Sequence, residues 1–86
     1  MIGWQLVRSG TSVGSNYRAA CRARSRAEFL AKMGIVEEET DESLYWMELL
    51  TESGQLKPEA VKPLMQEANE ILSITVSSIR TARSRT

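Results

Sequence analysis

The sequence predicts an all-α protein, a single domain over residues 1–86 folded as an up-and-down antiparallel helical bundle of three helices. Apolar residues recur at three- and four-residue spacing in three segments, which is the helical period. No segment alternates apolar and polar residues long enough for a strand, and no Asn-Gly or Asp-Gly pair indicates a hairpin. Turn signals separate the segments, so we expect helices at about residues 3–23, 26–53 and 58–83.

The first helix keeps its spacing through the stretch SGTSVGSN, whose glycines lack the pattern of a phosphate-binding loop. One row of this helix is Leu6, Gly10, Val13, Tyr17 and Ala20, and a neighbouring row is Trp4, Val7, Thr11, Gly14, Arg18 and Cys21. An interior glycine costs about 1 kcal/mol relative to alanine. Because Gly10 and Gly14 are four residues apart, they share a face that admits another helix backbone. We expect this thin face to be pressed against a neighbouring helix.

The second helix begins at a capping signal, Ser25-Arg26-Ala27-Glu28, in which serine and glutamate can satisfy unpaired amide groups reciprocally. The apolar stripe that follows is Phe29, Met33, Val36, Thr40, Leu44, Met47 and Leu50, widened by Trp46 and Leu49. Gly54 suits the left-handed residue that follows a helix end. The second helix is therefore expected to end just before this glycine.

The third helix has Pro58 in its first turn, where proline is favoured. Its apolar stripe is Val61, Leu64, Met65, Ala68, Ile71, Leu72, Thr75, Val76 and Ile79. Pro63 is less easily placed, because its ring clashes with the carbonyl four residues back in a helix. We expect either a kink at Pro63 or a regular helix that starts at about residue 62.

The short connections also predict the register of the bundle. In an antiparallel arrangement, Arg8 of the first helix lies near Glu42 of the second. Around the second turn, Leu44 lies near Ala68 and Met47 near Met65.

The composition limits the classes of protein to which the chain can belong. With 86 residues, 42% of them apolar and only five aromatic, one subunit can bury only a small core. No apolar run is long enough to span a membrane, and the N-terminus lacks the pattern of a signal peptide. The lone cysteine, Cys21, cannot form an internal disulfide, which favours a cytoplasmic location.

The net charge is zero, but it is distributed unevenly along the chain. Residues 1–27 carry +5, residues 28–56 carry −7 and residues 57–86 carry +2. The basic first segment, the acidic second segment and the mildly basic third segment can neutralise one another's charges when they fold side by side. This balance argues against a dedicated nucleic-acid surface, although it leaves room for a local basic patch.

Arginines of the first third are the candidate nucleic-acid contacts. Arg18, Arg22 and Arg26 repeat every four residues and repel one another on an isolated helix. Their partners are either the acidic run at residues 37–42, within the subunit or across a subunit interface, or a nucleic-acid backbone. The nucleic-acid candidates are Arg8, Arg18, Arg22, Arg24 and Arg26, with Arg80, Arg83 and Arg85 as further candidates.

The sequence offers no catalytic or metal-binding constellation. It has no histidine, so a Ser-His or Cys-His pair is impossible within one chain, and the acidic run lacks the Glu-x-x-His pairs of di-metal bundles. Cys21 is interpreted as a small core residue, and Ser12 with Asn16 as a hydrogen-bonded pair. We expect no enzymatic activity, no cofactor, no metal and no small-molecule substrate.

One pattern of residues resembles a known family along nearly the whole chain. The matching positions are Arg8, Ser12, Asn16, Tyr17, Arg18, Ser25, Phe29, Lys32, Glu38, Glu42, Tyr45 and Trp46. This pattern resembles the bacterial four-helix-bundle proteins related to those encoded by intervening sequences of large-subunit ribosomal RNA genes. The family usually has glutamate where this chain has Ala20, and usually an additional first helix. The given chain has no room for that helix before Met1, so either it is a shortened version or its start lies inside a longer protein. A three-helix unit without that helix would expose part of its core.

The resemblance implies a bundle that assembles into a ring, often a pentamer, without enzymatic activity. Related bundles act as accessory factors of reverse transcriptases and carry a basic surface, which keeps nucleic-acid binding as the alternative function. The expected interface combines the glycine face with Trp4, Tyr45 and Trp46. The residues assigned to packing and polar contacts are Gly10, Ser12, Gly14, Asn16, Tyr17, Glu38, Glu42 and Trp46.

Overall fold

A computed structural model describes residues 2–84 of the chain. Helix α1 spans Ile2–Cys21, α2 spans Arg26–Glu52 and α3 spans Pro58–Ser84. The described residues contain no strand. The all-α prediction is therefore confirmed, and every helix end lies within about two residues of its predicted position, the usual uncertainty of helix boundaries.

The turn between α1 and α2 contains the predicted cap. Ser25 is extended, with φ −148° and ψ 161°, and its Oγ accepts a hydrogen bond from the Glu28 amide at 3.0 Å. The Glu28 carboxylate reaches back to the amide of Arg24 at 3.3 Å. The reciprocal bond thus forms one residue earlier than in the usual capping box, but it still closes the start of α2.

The turn between α2 and α3 is a Schellman motif. Gly54 has φ +79°, the left-handed conformation that glycine adopts most easily. The amide of Gln55 donates to the Leu50 carbonyl at 3.0 Å, and the amide of Gly54 donates to the Thr51 carbonyl at 3.1 Å. Leu56 then packs on the core, which fixes the direction in which the chain returns.

Helix α3 runs without interruption through Pro63. It begins at Pro58. The carbonyl of the preceding residue, Lys57, accepts hydrogen bonds from the amides of Ala60 and Val61 and so closes the first turn. The alternative of a start near residue 62 is therefore wrong. Pro63 is exposed and lies in the second turn, where it removes one bond of the helix without ending it.

Helix α2 forms the centre of the fold and packs against both other helices. The larger core cluster contains Leu44, Met47, Val61 and Ala68, with Leu6, Leu56, Met65 and Leu72 against it. The smaller cluster contains Ala20, Met33 and Ile79, with Phe29 and Leu30 against it. Arg8 and Glu42 form an ion pair at 3.3 Å, so the predicted register between α1 and α2 is confirmed.

The backbones of α1 and α3 stay apart. Within the described residues, no Cα atom of α1 lies within 8 Å of a Cα atom of α3. Side chains of the two helices meet through shared clusters on α2, such as Ala20 and Ile79 with Met33. The radius of gyration is 14.1 Å, whereas a compact domain of this length has about 12 Å. The accessible surface is 5942 Å², whereas a compact monomer of this mass exposes about 5,100 Å².

Candidate assembly surface and arginine end

An open groove, which we call the notch, lies between α1 and α3 with α2 as its floor. Its lining residues are Leu6, Gly10, Val13, Thr40, Ser43, Met47, Leu64, Glu67, Ala68 and Ile71, around a volume of about 270 Å³. A second space of about 270 Å³ continues it between Val13, Gly14 and Tyr17 of α1 and Ile71 and Ile74 of α3. Apart from Glu67, all these residues are uncharged.

The seam between α1 and α2 is held by two buried serines. The Oγ atoms of Ser9 and Ser43 are 2.9 Å apart, and Ser9 has no exposed surface. The Ser43 hydroxyl also lies 2.9 Å from the Glu39 carbonyl and can donate to it, which leaves Ser43 Oγ to accept from Ser9. Serine at these positions lets the two helices approach closely without leaving a hydroxyl unpaired.

The glycines do not form that seam. A Cβ atom added at Gly10 or Gly14 would meet nothing within 4 Å, so no helix of the described chain is pressed against them. The expectation of a close neighbour is therefore wrong within one subunit. Ser9, one position away from Gly10, faces α2 instead, and this rotation turns both glycines into the notch.

The same rotation exposes one predicted row of α1. Its members Trp4, Val7, Thr11, Gly14, Arg18 and Cys21 are all exposed, with 64% exposure for Trp4 and 57% for Val7. Cys21 is thus not a core residue, contrary to the prediction. Ala20 occupies the core position, with 2% exposure. Alanine fits there against Met33 and Ile79.

Two predicted polar contacts are present. Asn16 Nδ2 donates to Ser12 Oγ at 3.1 Å and to the Ser12 carbonyl at 3.0 Å, as the spacing predicts. Glu42 Oε1 accepts from Trp46 Nε1 at 3.0 Å and from Arg8 Nη2 at 3.3 Å. Arg8, a candidate nucleic-acid contact, is therefore already engaged by a carboxylate of its own chain.

Three other residues of the predicted motif lie at the surface. Tyr17 is 43% exposed and lines the notch, and Glu38 is exposed on α2. Tyr45 is exposed and contacts the half-buried Trp46 edge-on, with 4.8 Å between the ring centroids. The two aromatic rings support each other on α2, away from the lining of the notch.

The arginines converge at one end of the molecule. Arg18 and Arg22 lie at the end of α1, Arg24 lies in the turn, and all three are exposed. In the described part of the chain, Arg18, Arg22 and Arg26 form no ion pair with the acidic run, so the expected pairing inside the subunit is wrong. Arg8 of α1 lies level with Glu42, and because α1 and α2 are antiparallel, Arg18 and Arg22 lie farther along α1, past the N-terminal end of the acidic run.

Helix α3 brings further basic residues to the same end. Arg26 Nη1 donates to the Ala82 carbonyl at 3.5 Å, which connects the start of α2 to the last turn of α3. Arg26 also lines a groove of about 560 Å³ with Phe29, Ser77, Ser78, Thr81 and Ala82. Arg80 and Arg83 lie in the last turns of α3, where they line a separate pocket with Glu37 of the acidic run. Arg85, the remaining candidate, lies outside the described residues.

The described residues contain no group of three or more His, Cys, Asp or Glu side chains placed to hold a metal ion. None of their helices has the length and apolar character that crossing a membrane requires. One carboxylate oxygen, Oε2 of Glu39, is buried without a hydrogen-bond partner.

The fold and its surfaces define a small all-helical bundle protein in which two helices stand apart on either side of a third. The chain belongs to the 23S rRNA-intervening sequence protein family, whose model matches residues 1–77. The predicted family is thus confirmed, on a match that covers nearly the whole chain.

A solved structure is similar to this chain over most of the length of both. It is a protein of unknown function from the S23 ribosomal protein family of Bacteroides thetaiotaomicron, with 36% sequence identity and a TM-score of 0.88. The match covers 93% of this chain and 71% of that chain. No curated protein matches.

Proposed function

We propose that this protein is a non-enzymatic, cytoplasmic bundle that acts by assembling with copies of itself through its helix faces. A closed ring is the proposed assembly, and the family resemblance favours a pentamer. The observation that carries the proposal is the open notch, an apolar groove between two helices whose backbones stay more than 8 Å apart in the described residues. An apolar groove of this kind in a small bundle marks a place where another surface packs.

Exposed apolar side chains on the two outer helices support this proposal. Trp4, Val7 and Tyr17 on α1 and Leu64 and Ile74 on α3 are each exposed by 43% or more. The core of one subunit is correspondingly small, because the backbones of the two outer helices approach only α2. Assembly would bury these side chains and so add the apolar burial that the subunit lacks.

Sedimentation equilibrium on the whole chain tests the proposal. We expect a mass several times the 9.6 kDa of one subunit at micromolar concentration, and five times that mass for the pentamer. Light scattering across a concentration series checks that the assembly has one defined size. A folded monomer at every concentration would overturn the proposal.

Nucleic-acid binding is the second candidate function, and the convergence of arginines favours it. Arg18, Arg22 and Arg24 are exposed at the end where α3 contributes Arg80 and Arg83. The phosphates of an RNA backbone carry the negative charge that a cluster of exposed arginines binds. Assembly would multiply such a patch by the number of subunits.

The test is binding of an unstructured RNA at several salt concentrations. We expect affinity to fall steeply with salt, and to fall at fixed salt in the double variant Arg22→Glu, Arg24→Glu. The matched control is Lys57→Glu, Lys62→Glu, which makes the same change of charge on exposed residues at the opposite end. No binding at low salt, or equal losses in both double variants, would exclude this function.

A further inference from the structure

We infer that the exposed arginines at one end of a subunit bind the acidic outer face of α2 on a second copy. The first surface, the arginine end, consists of Arg18, Arg22 and Arg24. The second surface, the outer face of α2, is the exposed row Glu38, Asp41 and Tyr45. This inference rests on the proposed self-assembly and names the two surfaces that meet. Neither surface lines the notch, so the contact is the same whether the notch is open or covered.

The charged side chains of both surfaces lack partners within the subunit. Arg18, Arg22 and Arg24 are exposed and make no ion pair or side-chain hydrogen bond in the described part of the chain. The same holds there for the carboxylates of Glu38 and Asp41. Like charges three or four residues apart on a helix repel one another. Each cluster is therefore stabilised by opposite charge that comes from outside the subunit.

One subunit cannot bring its own two surfaces together. Arg8 lies level with Glu42, so Arg18, ten residues farther along the antiparallel helix α1, lies level with about residue 32 of α2. The other two arginines lie farther still from the acidic run. Helix α2 begins at Arg26, twelve residues before Glu38, which is roughly 18 Å along the helix axis. This distance exceeds the reach of an arginine side chain, so pairing requires a second copy.

Tyr45 gives the outer face of α2 an aromatic surface that suits arginine. It follows Asp41 by four residues and Glu38 by seven, so the three side chains share one face of the helix. Tyr45 is 55% exposed, and Trp46 supports its ring edge-on, with 4.8 Å between the ring centroids. A guanidinium group can stack on an aromatic ring while it pairs with a carboxylate beside that ring. The face therefore favours arginine over lysine as the group that it binds.

The charge balance of the chain favours a second copy over RNA as the partner of the arginine end. Eleven basic and eleven acidic residues give a net charge of zero. Contacts between copies can neutralise both clusters at once. RNA would neutralise the arginines alone, and its phosphates would repel the outer face of α2.

The two surfaces lie at different places on the molecule, so one subunit can offer each of them to a different neighbour. Its arginine end then binds one copy, and its outer face of α2 receives the arginine end of another. Head-to-tail contacts of this kind generate a ring if the rotation between subunits closes. This is the symmetry that the proposed ring requires.

Charge reversal tests the two surfaces separately in the whole chain. The arginine variant is Arg22→Glu, Arg24→Glu, and the acidic variant is Glu38→Lys, Asp41→Lys. Each variant places like charges across the contact, so we expect it to weaken association about tenfold or more in sedimentation equilibrium. Added salt should also weaken association of the wild type, because salt screens exposed charges.

Two matched controls make the same changes of charge elsewhere. They are Lys57→Glu, Lys62→Glu and Glu59→Lys, Glu70→Lys, all at exposed residues outside both surfaces. Both controls should associate like the wild type. Circular dichroism checks that every variant keeps its helices.

Combining the arginine variant and the acidic variant in one chain gives the decisive result. The four substitutions exchange the sign of charge on both surfaces, so opposite charges meet again across the contact. Association should recover about tenfold or more relative to either double variant. A folded combined variant that associates no better than the two double variants would overturn the inference.

The wild-type protein separates the possible failures. A wild type that stays monomeric at every concentration would remove both the proposed function and this inference. A wild type that assembles, with the arginine variant assembling equally well, would remove only the inference. If the arginine variant loses binding of an unstructured RNA but assembles normally, the arginine end serves RNA, and the inference is likewise overturned.

Discussion

Ser9 and Ser43 determine how closely α1 approaches α2. Both side chains are buried, and their Oγ atoms are within hydrogen-bond distance. Gly10, the next residue along α1, borders open space instead. A larger side chain therefore fits at Gly10 but not at Ser9. Substitutions at these two adjacent positions can distinguish the effect of packing from the effect of helix propensity.

Ser9→Leu should lower the free energy of unfolding by about 2 kcal/mol, because the larger side chain forces the two helices apart. Gly10→Ala should raise it by up to about 1 kcal/mol, because alanine favours the helix. Urea unfolding at a concentration where the protein is monomeric measures both changes. The seam would be misplaced if the two variants changed stability by the same amount and sign.

Glu42 connects α1 to α2 through charge rather than packing. Its Oε1 accepts from Arg8 and Trp46, and the Arg8 side chain is 52% exposed. Water and salt screen an ion pair with this much exposure, so its contribution is small. Because its guanidinium already pairs with Glu42, Arg8 should contribute less to nucleic-acid affinity than Arg18 or Arg22.

Glu42→Gln should lower the free energy of unfolding by less than about 1 kcal/mol, and added salt should shrink the difference. Urea titrations at low and high salt measure this effect. Glu38→Gln is the control, because Glu38 is exposed on the same helix. A loss of several kcal/mol that is insensitive to salt would contradict this account of Glu42.

At the scale of the elements, the turn after α2 depends on one backbone conformation. Gly54 has φ +79°, and the bonds of the Schellman motif form around it. A side chain at this position is strained even where space is available.

Gly54→Ala should destabilise the fold by about 1 kcal/mol or more, because alanine resists the left-handed region. Gly34→Ala, inside α2 with no atom near its added Cβ, should instead stabilise it by up to about 1 kcal/mol. Thermal unfolding of the two variants provides the comparison. Similar stability in both would mean that the turn does not require its glycine.

The sequence predicts the elements well because their ends have chemical signals. Ser25, Glu28 and Gly54 satisfy or redirect backbone groups locally, so their roles can be read without the rest of the fold. The stripe of α2 was also predictable, since Met33, Val36, Thr40, Leu44, Met47 and Leu50 are all buried. Large apolar side chains at helical spacing give one clear face.

The rotation of α1 was not predictable from apolar periodicity. Small or apolar residues occupy most faces of α1, so they do not define one buried face. The residue buried against α2 is Ser9, which is polar and belongs to no apolar row. Helix α3 shows the same limit, because Leu64 belongs to its apolar stripe and yet is 51% exposed beside the notch. A pair of serines separated by 34 residues would be the signal, but only after the register is known.

The sequence predicted which residues belong to the candidate surfaces, but it did not predict most of the residues that they contact. Sequence reasoning selected Gly10, Gly14 and the arginines, and the fold places the glycines beside the notch and the arginines at one end. The pairing of Arg8 with Glu42 follows from the register. The same register carries Arg18 and Arg22 past the acidic run, so the expectation that they pair with it inside the subunit conflicted with the predicted register.

At the scale of the whole molecule, assembly and folding should be linked. If assembly stabilises the folded subunit, the midpoint of thermal unfolding should rise with protein concentration. Calorimetry over a hundredfold range of concentration measures the effect. A midpoint that is independent of concentration in the wild type would contradict the linkage.

The separation of α1 from α3 has a thermodynamic consequence. Away from the buried cluster of Ala20 and Ile79, substitutions on the two walls of the notch should change the free energy of unfolding additively, to within about 0.5 kcal/mol. A second copy packed in the notch would touch both walls and make their energies interdependent. A double-mutant cycle between Val13 and Ile74 would therefore give a coupling energy near zero in dilute protein and a measurable one in the assembled form.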